Sequence, residues 1–530
     1  MRRAIACVRC RMMKRKCTTI TVDGCIQCVR HSQPCSLSSR KAGCNPGGRL
    51  APARPSSVFR IHFTADGTTV ALTDAVAMNL VGNYLHLIHD RPHSLFHIAT
   101  LWHDIREETI SNHLLYSICS LGSSLSKDPE LHALNKPLSL EAKRLLQADL
   151  ENVTLENIQT LILLANICAA ELSPSSETLY FGIANRMAHI LKLHEPNATD
   201  DVVTRETKTR VWWTLFMADY WCSAGLGLPR QLYNISRAIE LPIDEAAFQA
   251  ARPHDTAIEA SSGLWAYMLT LVEIFPLVQD LNRRLVDDDS LDDASADESA
   301  LKISHRLDDW LASLPRRMRL NDRNFDEHAT KGLGGAYVGL HLGYHHYATL
   351  LYFQYLDLQR PSTAVSKDFA ERCKRHASSY SDLLRKSRET PGCEAVYATV
   401  GHMTVVSSSV LLHMLLFGKE DELEVTRALL NTNFIALIEM RNFWPSLERM
   451  ITRLSAFQSA CLQSADPNTH RIDRWMVRFL LEHSLPLDER DWTYAGQTGQ
   501  HIESSTATRP IQGFVEREQF VSDAMATLRE

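Results

Sequence analysis

The segment Cys7-Val-Arg-Cys10-Arg-Met-Met-Lys-Arg-Lys-Cys17, followed by Cys25-Ile-Gln-Cys28-Val-Arg-His-Ser-Gln-Pro-Cys35, is two copies of C-x2-C-x6-C. Each C-x2-C sets two sulfurs on one side of a tight turn, within reach of a single zinc ion at about 2.3 Å, and the third cysteine returns after a short helix. One copy supplies three thiolates, whereas tetrahedral zinc takes four. Six thiolates serve two ions when two sulfurs are shared, so the spacing argues for a binuclear cluster. The loop Thr18 to Gly24 between the copies ends on Asp23-Gly24, a turn signal that lets the chain reverse. This segment holds almost no Leu, Phe or Trp and cannot bury a core, so metal binding must supply its folding energy.

Charge is distributed to match. Residues 1 to 50 contain eleven Lys or Arg against the single acid Asp23, a local +10, while the whole 530-residue chain carries −6; the remainder therefore carries −16. A basic head on an acidic body points to a nucleic-acid-binding terminus joined to a module with another task. Six cysteines also suit a secreted disulfide framework, but charges recur from Arg2 to Lys16 with no apolar signal core. A reducing compartment is therefore expected, in which thiols are available for metal.

The cysteine segment resembles the fungal-type Zn2Cys6 binuclear cluster of transcription factors. The resemblance implies two Zn2+ held by Cys7, Cys10, Cys17, Cys25, Cys28 and Cys35, with Cys7 and Cys25 bridging both ions. It further implies that Lys14, three residues before the third cysteine, reads a CGG triplet in the major groove of double-stranded DNA. Arg9, Arg11, Arg15, Lys16 and Arg30 are then the phosphate contacts. The division is physically sound: a lysine on a rigid helix end can donate to guanine O6 and N7, whereas flexible cations gain mainly by releasing counterions.

Residues 36–72 read as a flexible basic linker. Pro46, Pro52 and Pro55 with Gly43, Gly47 and Gly48 leave no heptad, since an interior proline costs a helix about 3 kcal/mol, so a homodimer is expected only through the helical body. Phe59, Ile61 and Phe63 alternate, as do Val70 and Leu72, about Asp66-Gly67, which predicts a hairpin leaning on the body.

From Thr73 the apolar period changes to three and four: Val76, Leu80, Tyr84, Leu87; Leu114, Ile118, Leu121; Ile158, Leu161, Ile162, Ala165. Glycine and proline together make only 42 of 530 residues, and helix is expected throughout 73–485. Tyr180 to His194, Glu206 to Asp219 and Gly227-Leu-Pro229 resemble the middle homology region of the same fungal factors, from about Leu80 to Leu241, with an echo at Trp310 to Pro315. The fold class is thus all-α, a small zinc-cluster DNA-binding domain at 1–35 followed by a large helical regulatory domain.

Individual features carry narrower expectations. Trp212, Trp213, Phe216 and Tyr220 are expected to fill core rather than line a ligand box. Asp219 is expected to be buried and paired with Arg186 or Arg210. His341, His345 and His346 read as packed histidines, not a metal grip. Asp287 to Glu298, with seven acids, reads as a solvated loop. Ala395 to Gly418 has no charged residue over 24 positions and reads as a buried helix rather than a membrane span. In the tail, 486–530, residues Phe514 to Leu528 predict an amphipathic helix that either docks on the body or meets a coactivator. No Walker loop, nucleophile elbow or His-Glu-x-x-His occurs, and no catalytic residue is assigned.

The reading is a nuclear, non-enzymatic regulator that binds CGG half-sites, engages coactivators or the transcription machinery, and activates RNA polymerase II transcription of a metabolic or biosynthetic gene cluster. The helical domain is expected to receive a small-molecule effector, and no membrane is involved. The competing reading is a ligand-sensing receptor or adaptor whose cluster is not a sequence-specific reader.

Overall fold

Alternation of Phe59 and Ile61 with Val70 and Leu72 places these residues opposite one another once the chain turns back. Phe59–His62 pairs antiparallel with Thr69–Leu72, Phe59 facing Leu72 and Ile61 facing Val70. Leu72 is buried in the main core, so the hairpin ends against the helices, as expected. The computed structural model describes residues 17, 20–21, 24–25, 59–62, 69–195, 197–232, 239–255, 261–287, 291–463, 470–481 and 512–529. The chain divides into two compact units, Met1–Ser57 and Val58–Glu530, and the hairpin belongs to the second.

In the second unit the described residues are overwhelmingly helical. Helix starts are set by side chains that satisfy the first free N–H groups. Thr73 accepts from Val76 N at 3.3 Å to open Asp74–Leu87, and Thr363 with Ser366 forms a reciprocal capping box that opens Ala364–Glu389. Asp292 accepts from Ser295 N at 2.7 Å and opens the helix Asp293–Ser313. This corrects the acidic loop expected at Asp287 to Glu298. Its second half is the first turn of a helix, because aspartates suit the positive end of the helix dipole and two of them, Asp293 and Asp297, pair with Arg360.

Two helices form the centre. Gly334–Tyr352 is buried on every side, which agrees with its lack of a polar face. Ala398–Phe417 is likewise enclosed, packed against Ala364–Glu389, Leu423–Arg441, Ser446–Gln463 and Gln512–Arg529. The charge-free stretch from Ala395 is thus a core helix, long enough to cross a bilayer but 94% buried in its most apolar part. Its serines do not break the core because each is bonded: Ser408 Oγ donates to Thr404 O at 2.7 Å, Ser409 Oγ to Val405 O at 2.9 Å and Ser407 Oγ to Ala377 O at 3.0 Å.

Of the two roles open to the C-terminal helix, the docked one is observed. Gln512–Arg529 buries Val521, Met525 and Leu528 against the body, Arg517 pairs with Glu420 at 2.6 Å, and Arg427 lies over the Phe520 ring at 4.6 Å. These apolar side chains cannot meet a coactivator while docked. Met525→Ala is therefore expected to destabilise the body by about 2–5 kcal/mol, read as a lowered thermal midpoint. An unchanged midpoint would mean that this helix does not dock in solution.

Candidate functional site

The expected zinc and DNA site lies mostly outside the described residues: Cys7, Cys10, Cys28, Cys35, Lys14, Arg9, Arg11, Arg15, Lys16 and Arg30 all do. Cys17 and Cys25 are described. Ile20–Thr21 pairs antiparallel with Gly24–Cys25, Ile20 facing Cys25 and Thr21 facing Gly24, so the two short strands run in opposite directions. The reversal expected of Asp23-Gly24 is present, and it carries the fourth cysteine back beside the segment that follows the third. Cys25 is fully buried and Cys17 half-buried.

The histidines at 341–346 are packed, as expected. His341 Nε2 bonds Met318 O at 2.9 Å, and the His345 and His376 rings share a hydrogen bond between Nδ1 atoms at 3.0 Å. Burial pulls His341 down to about 4 and His345 well below its ordinary value, so both are neutral. Among the described residues no group of three or more His, Cys, Asp or Glu could hold a metal.

Trp212, Trp213 and Phe216 fill core, as expected. Tyr220, expected beside them, is half-buried and turns to the lining of a cavity, together with neighbours on the helix Val202–Leu226. Thr214, Met217, Ala218, Tyr220 and Trp221 line this cavity of about 160 Å3 inside the body. Leu271 and Phe275, Gly339 and Gly343, and Tyr397 to Thr399 close other walls. The space exists partly because glycine stands at 339 and 343: a Cβ at Gly339 would come within 3.0 Å of the Tyr397 hydroxyl, and one at Gly343 within 3.6 Å of Leu271. The lining is largely apolar, with Arg91 and Glu177 the charged side chains on it.

Asp219 is buried, but with a different partner from either expected arginine. Its carboxylate accepts from Gln231 N at 3.0 Å and Leu232 N at 2.9 Å, and Arg230 Nε stands 3.5 Å away. Arg210 instead holds Glu206 at 2.8 Å, one helical turn before it. The loop after the helix brings its own cation and two free N–H groups to Asp219, which local helical spacing cannot foretell.

Sequence reading missed the cavity and its charged groups. Arg91 sits in Asp90-Arg91-Pro92-His93, a charged interruption between apolar helices, and that interruption was the available signal. Asp90 has a left-handed backbone, φ 60°. Burial raises its carboxyl pKa, but the His89 ring, Arg210 and the Ser94 hydroxyl together outweigh burial and hold it well below the ordinary carboxylate range. Burial raises the Glu177 carboxyl to about 7, partly offset by a hydrogen bond with Cys222.

With this geometry described, comparison with known proteins is informative. Residues 81–311 match the fungal specific transcription factor domain. The match supports a fungal transcription factor. Over 313 residues the chain is 24% identical to an uncharacterized transcriptional regulatory protein of Schizosaccharomyces pombe, covering 51% of this chain and 31% of that protein. It is 26% identical over 277 residues to the transcriptional activator protein acu-15 of Neurospora crassa, covering 49% and 28%. A Zn(2)-C6 fungal-type transcription factor of Fusarium oxysporum is 23% identical over 308 residues, covering 51% and 33%. The chain thus spans about a third of the length of these relatives, all of which carry names of transcription regulators.

The Glu177 carboxyl gives a pH prediction. Its folded pKa of about 7 lies above the ordinary 4.5, so its contribution to stability is complete below about pH 4.5 and is lost as pH rises through about 7. Glu177→Gln removes the ionisation. Its thermal midpoint relative to the parent should therefore rise between about pH 5 and pH 8, by the equivalent of up to about 3 kcal/mol. A difference independent of pH would show that Glu177 is solvated.

Proposed function

We propose that this protein is a nuclear, sequence-specific DNA-binding regulator that reads CGG half-sites through an N-terminal zinc binuclear cluster. The observation that carries this reading is the paired C-x2-C-x6-C repeat with basic residues inside it, in one chain with a body matching the fungal specific transcription factor domain. The zinc-cluster name of the Fusarium relative supports it.

In this reading Cys7, Cys10, Cys17, Cys25, Cys28 and Cys35 hold two Zn2+, with Cys7 and Cys25 shared. The ions supply the folding energy of a segment that has no core. Lys14 donates to guanine O6 and N7, and Arg9, Arg11, Arg15, Lys16 and Arg30 neutralise phosphates. Output is activation of RNA polymerase II transcription of a metabolic or biosynthetic gene cluster, through coactivators or the transcription machinery. The protein is not an enzyme in this reading. Any homodimer forms through the helical body, since the linker carries no heptad. The cavity in the body favours a small-molecule effector.

Elemental analysis of the full chain should return two zinc ions. Cys7→Ser or Cys25→Ser should disturb both, and Cys10→Ser or Cys35→Ser one first. Lys14→Ala should cost about 1–3 kcal/mol on CGG duplexes and relax the preference, while Arg30→Ala should weaken all duplexes alike and flatten the salt slope by about one unit. One zinc per chain would end the binuclear reading, and equal losses on CGG and scrambled DNA after Lys14→Ala would assign base reading to another residue.

A further inference from the structure

Arginines 91 and 210 are both sealed inside the body, and their surroundings differ in one respect. Arg210, 0% exposed, is fully engaged: Nε with Glu206 at 2.8 Å, Nη1 with Ser94 Oγ at 2.9 Å and Nη2 with Ile243 O at 2.7 Å. Arg91, 4% exposed, donates one hydrogen bond, from Nη1 to His86 O. Its Nε has no partner. Among the described residues no carboxylate stands within 4.0 Å of it, and Glu394, the acid whose charge acts on it most strongly, lies beyond that distance. A guanidinium does not shed its proton to escape burial, so Arg91 remains a buried cation with no ion pair within 4.0 Å among the described residues, although the carboxylates of Glu394 and Asp90 act on it from farther away.

Arg91 is also one of the residues that line the cavity. Its guanidinium occupies the volume that a side chain at Gly335 would take, because a Cβ there would overlap it. Tyr397 stands on the same side of the central helix, since a Cβ at Gly339, one turn after Gly335, would come 3.0 Å from its hydroxyl, and Tyr347 lines the same cavity. Both tyrosines line the cavity, and neither hydroxyl makes a hydrogen bond among the described residues. The lining therefore includes one arginine and the two phenols, Tyr347 and Tyr397. The remaining surface is Trp221, Phe275, Met268, Leu271 and their like. Glu177, the acid on the lining, forms no ion pair with Arg91 among the described residues.

We propose that this cavity binds a small, mainly apolar molecule that carries one carboxylate, with Arg91, Tyr397 and Tyr347 holding the carboxylate and the aromatic and aliphatic walls holding the rest. The inference rests on reading the helical body as effector-receiving, and it adds the chemical class of the effector. A guanidinium matches a carboxylate in two parallel hydrogen bonds, and the phenols fill the oxygens' remaining sites. A phosphate brings up to two charges and three acceptor oxygens, more than one cation and two phenols can satisfy.

The test uses the full chain, with intrinsic tryptophan fluorescence and calorimetry reading titrations of octanoate and phenylacetate beside octanamide and phenylacetamide. Each acid should bind about tenfold or more tightly than its amide, the loss expected when a charge-assisted bond becomes a neutral one. Arg91→Lys and Tyr397→Phe should weaken the acids more than the amides, narrowing the acid-to-amide ratio. Acids and amides binding alike would overturn the carboxylate assignment and leave an effector cavity standing, whereas no binding by any of the four would remove both. The comparison of acid with amide is made on the unaltered protein, so it decides even if a variant fails to fold.

Discussion

The ion pair between Arg210 and Glu206 organises the body around it. A buried guanidinium is tolerable only when its donors are matched, and here the matching groups come from distant parts of the chain. Glu206 Oε1 takes Arg210 Nε and also Ile243 N at 3.1 Å, while Phe248 receives the guanidinium face at 4.6 Å. Ser94, bonded to Arg210, donates to Asp90 Oδ1 at 2.5 Å, and Thr214 Oγ1 accepts from Ser94 N at 3.2 Å. The Val202–Leu226 helix, the turn at residues 88–94 and the segment at 243–248 are thereby fixed to one charge. The left-handed Asp90 is held by the same network, and the residue after it is Arg91. The satisfied arginine thus positions the unsatisfied one.

The cavity depends on a second constraint, the absence of side chains from one face of the central helix. Gly335, Gly339 and Gly343 recur at intervals of four and lie along one side of Gly334–Tyr352. The first leaves room for the Arg91 guanidinium, the second for the Tyr397 hydroxyl, and the third approaches Leu271. Glycine inside a helix costs about 1 kcal/mol relative to alanine, so these three within nine residues work against the helix that carries them. Burial of that helix on all sides offsets the cost, and empty volume is what results.

Legibility in the sequence followed the range of the interactions. The hairpin at 59–72 and the buried helix from Ala398 were readable, because alternation and a charge-free run are local patterns with single physical outcomes. The choice between Asp219 partners was not, because the decisive cation, Arg230, arrives through a loop. The helix at Asp293 was misread as loop because charge density was weighed above capping, although Asp292 stands where an N-cap belongs. Arg91 carried no visible mark beyond its place among apolar helices. That no carboxylate among the described residues stands within 4.0 Å of an arginine is a statement about residues distant in sequence, and only the folded chain makes it.

The composition of the cavity walls sets what a bound molecule can do. Residues from the first part of the body, Ile88 to Phe181, face residues from the last part, Gly339 to Trp444, with Thr214 to Phe275 between them. A ligand seated there touches helices that are far apart in sequence and otherwise meet across partly empty volume. Ligand binding can shift an equilibrium only by its difference in affinity for two states, and a cavity shared by separate helices provides such a difference whenever those helices move apart. Compensating Arg91 adds to it, since the charge is buried at a cost only in the closed arrangement. If the proposed ligand binds, its occupancy would stabilise the body by RT ln(1 + [L]/Kd).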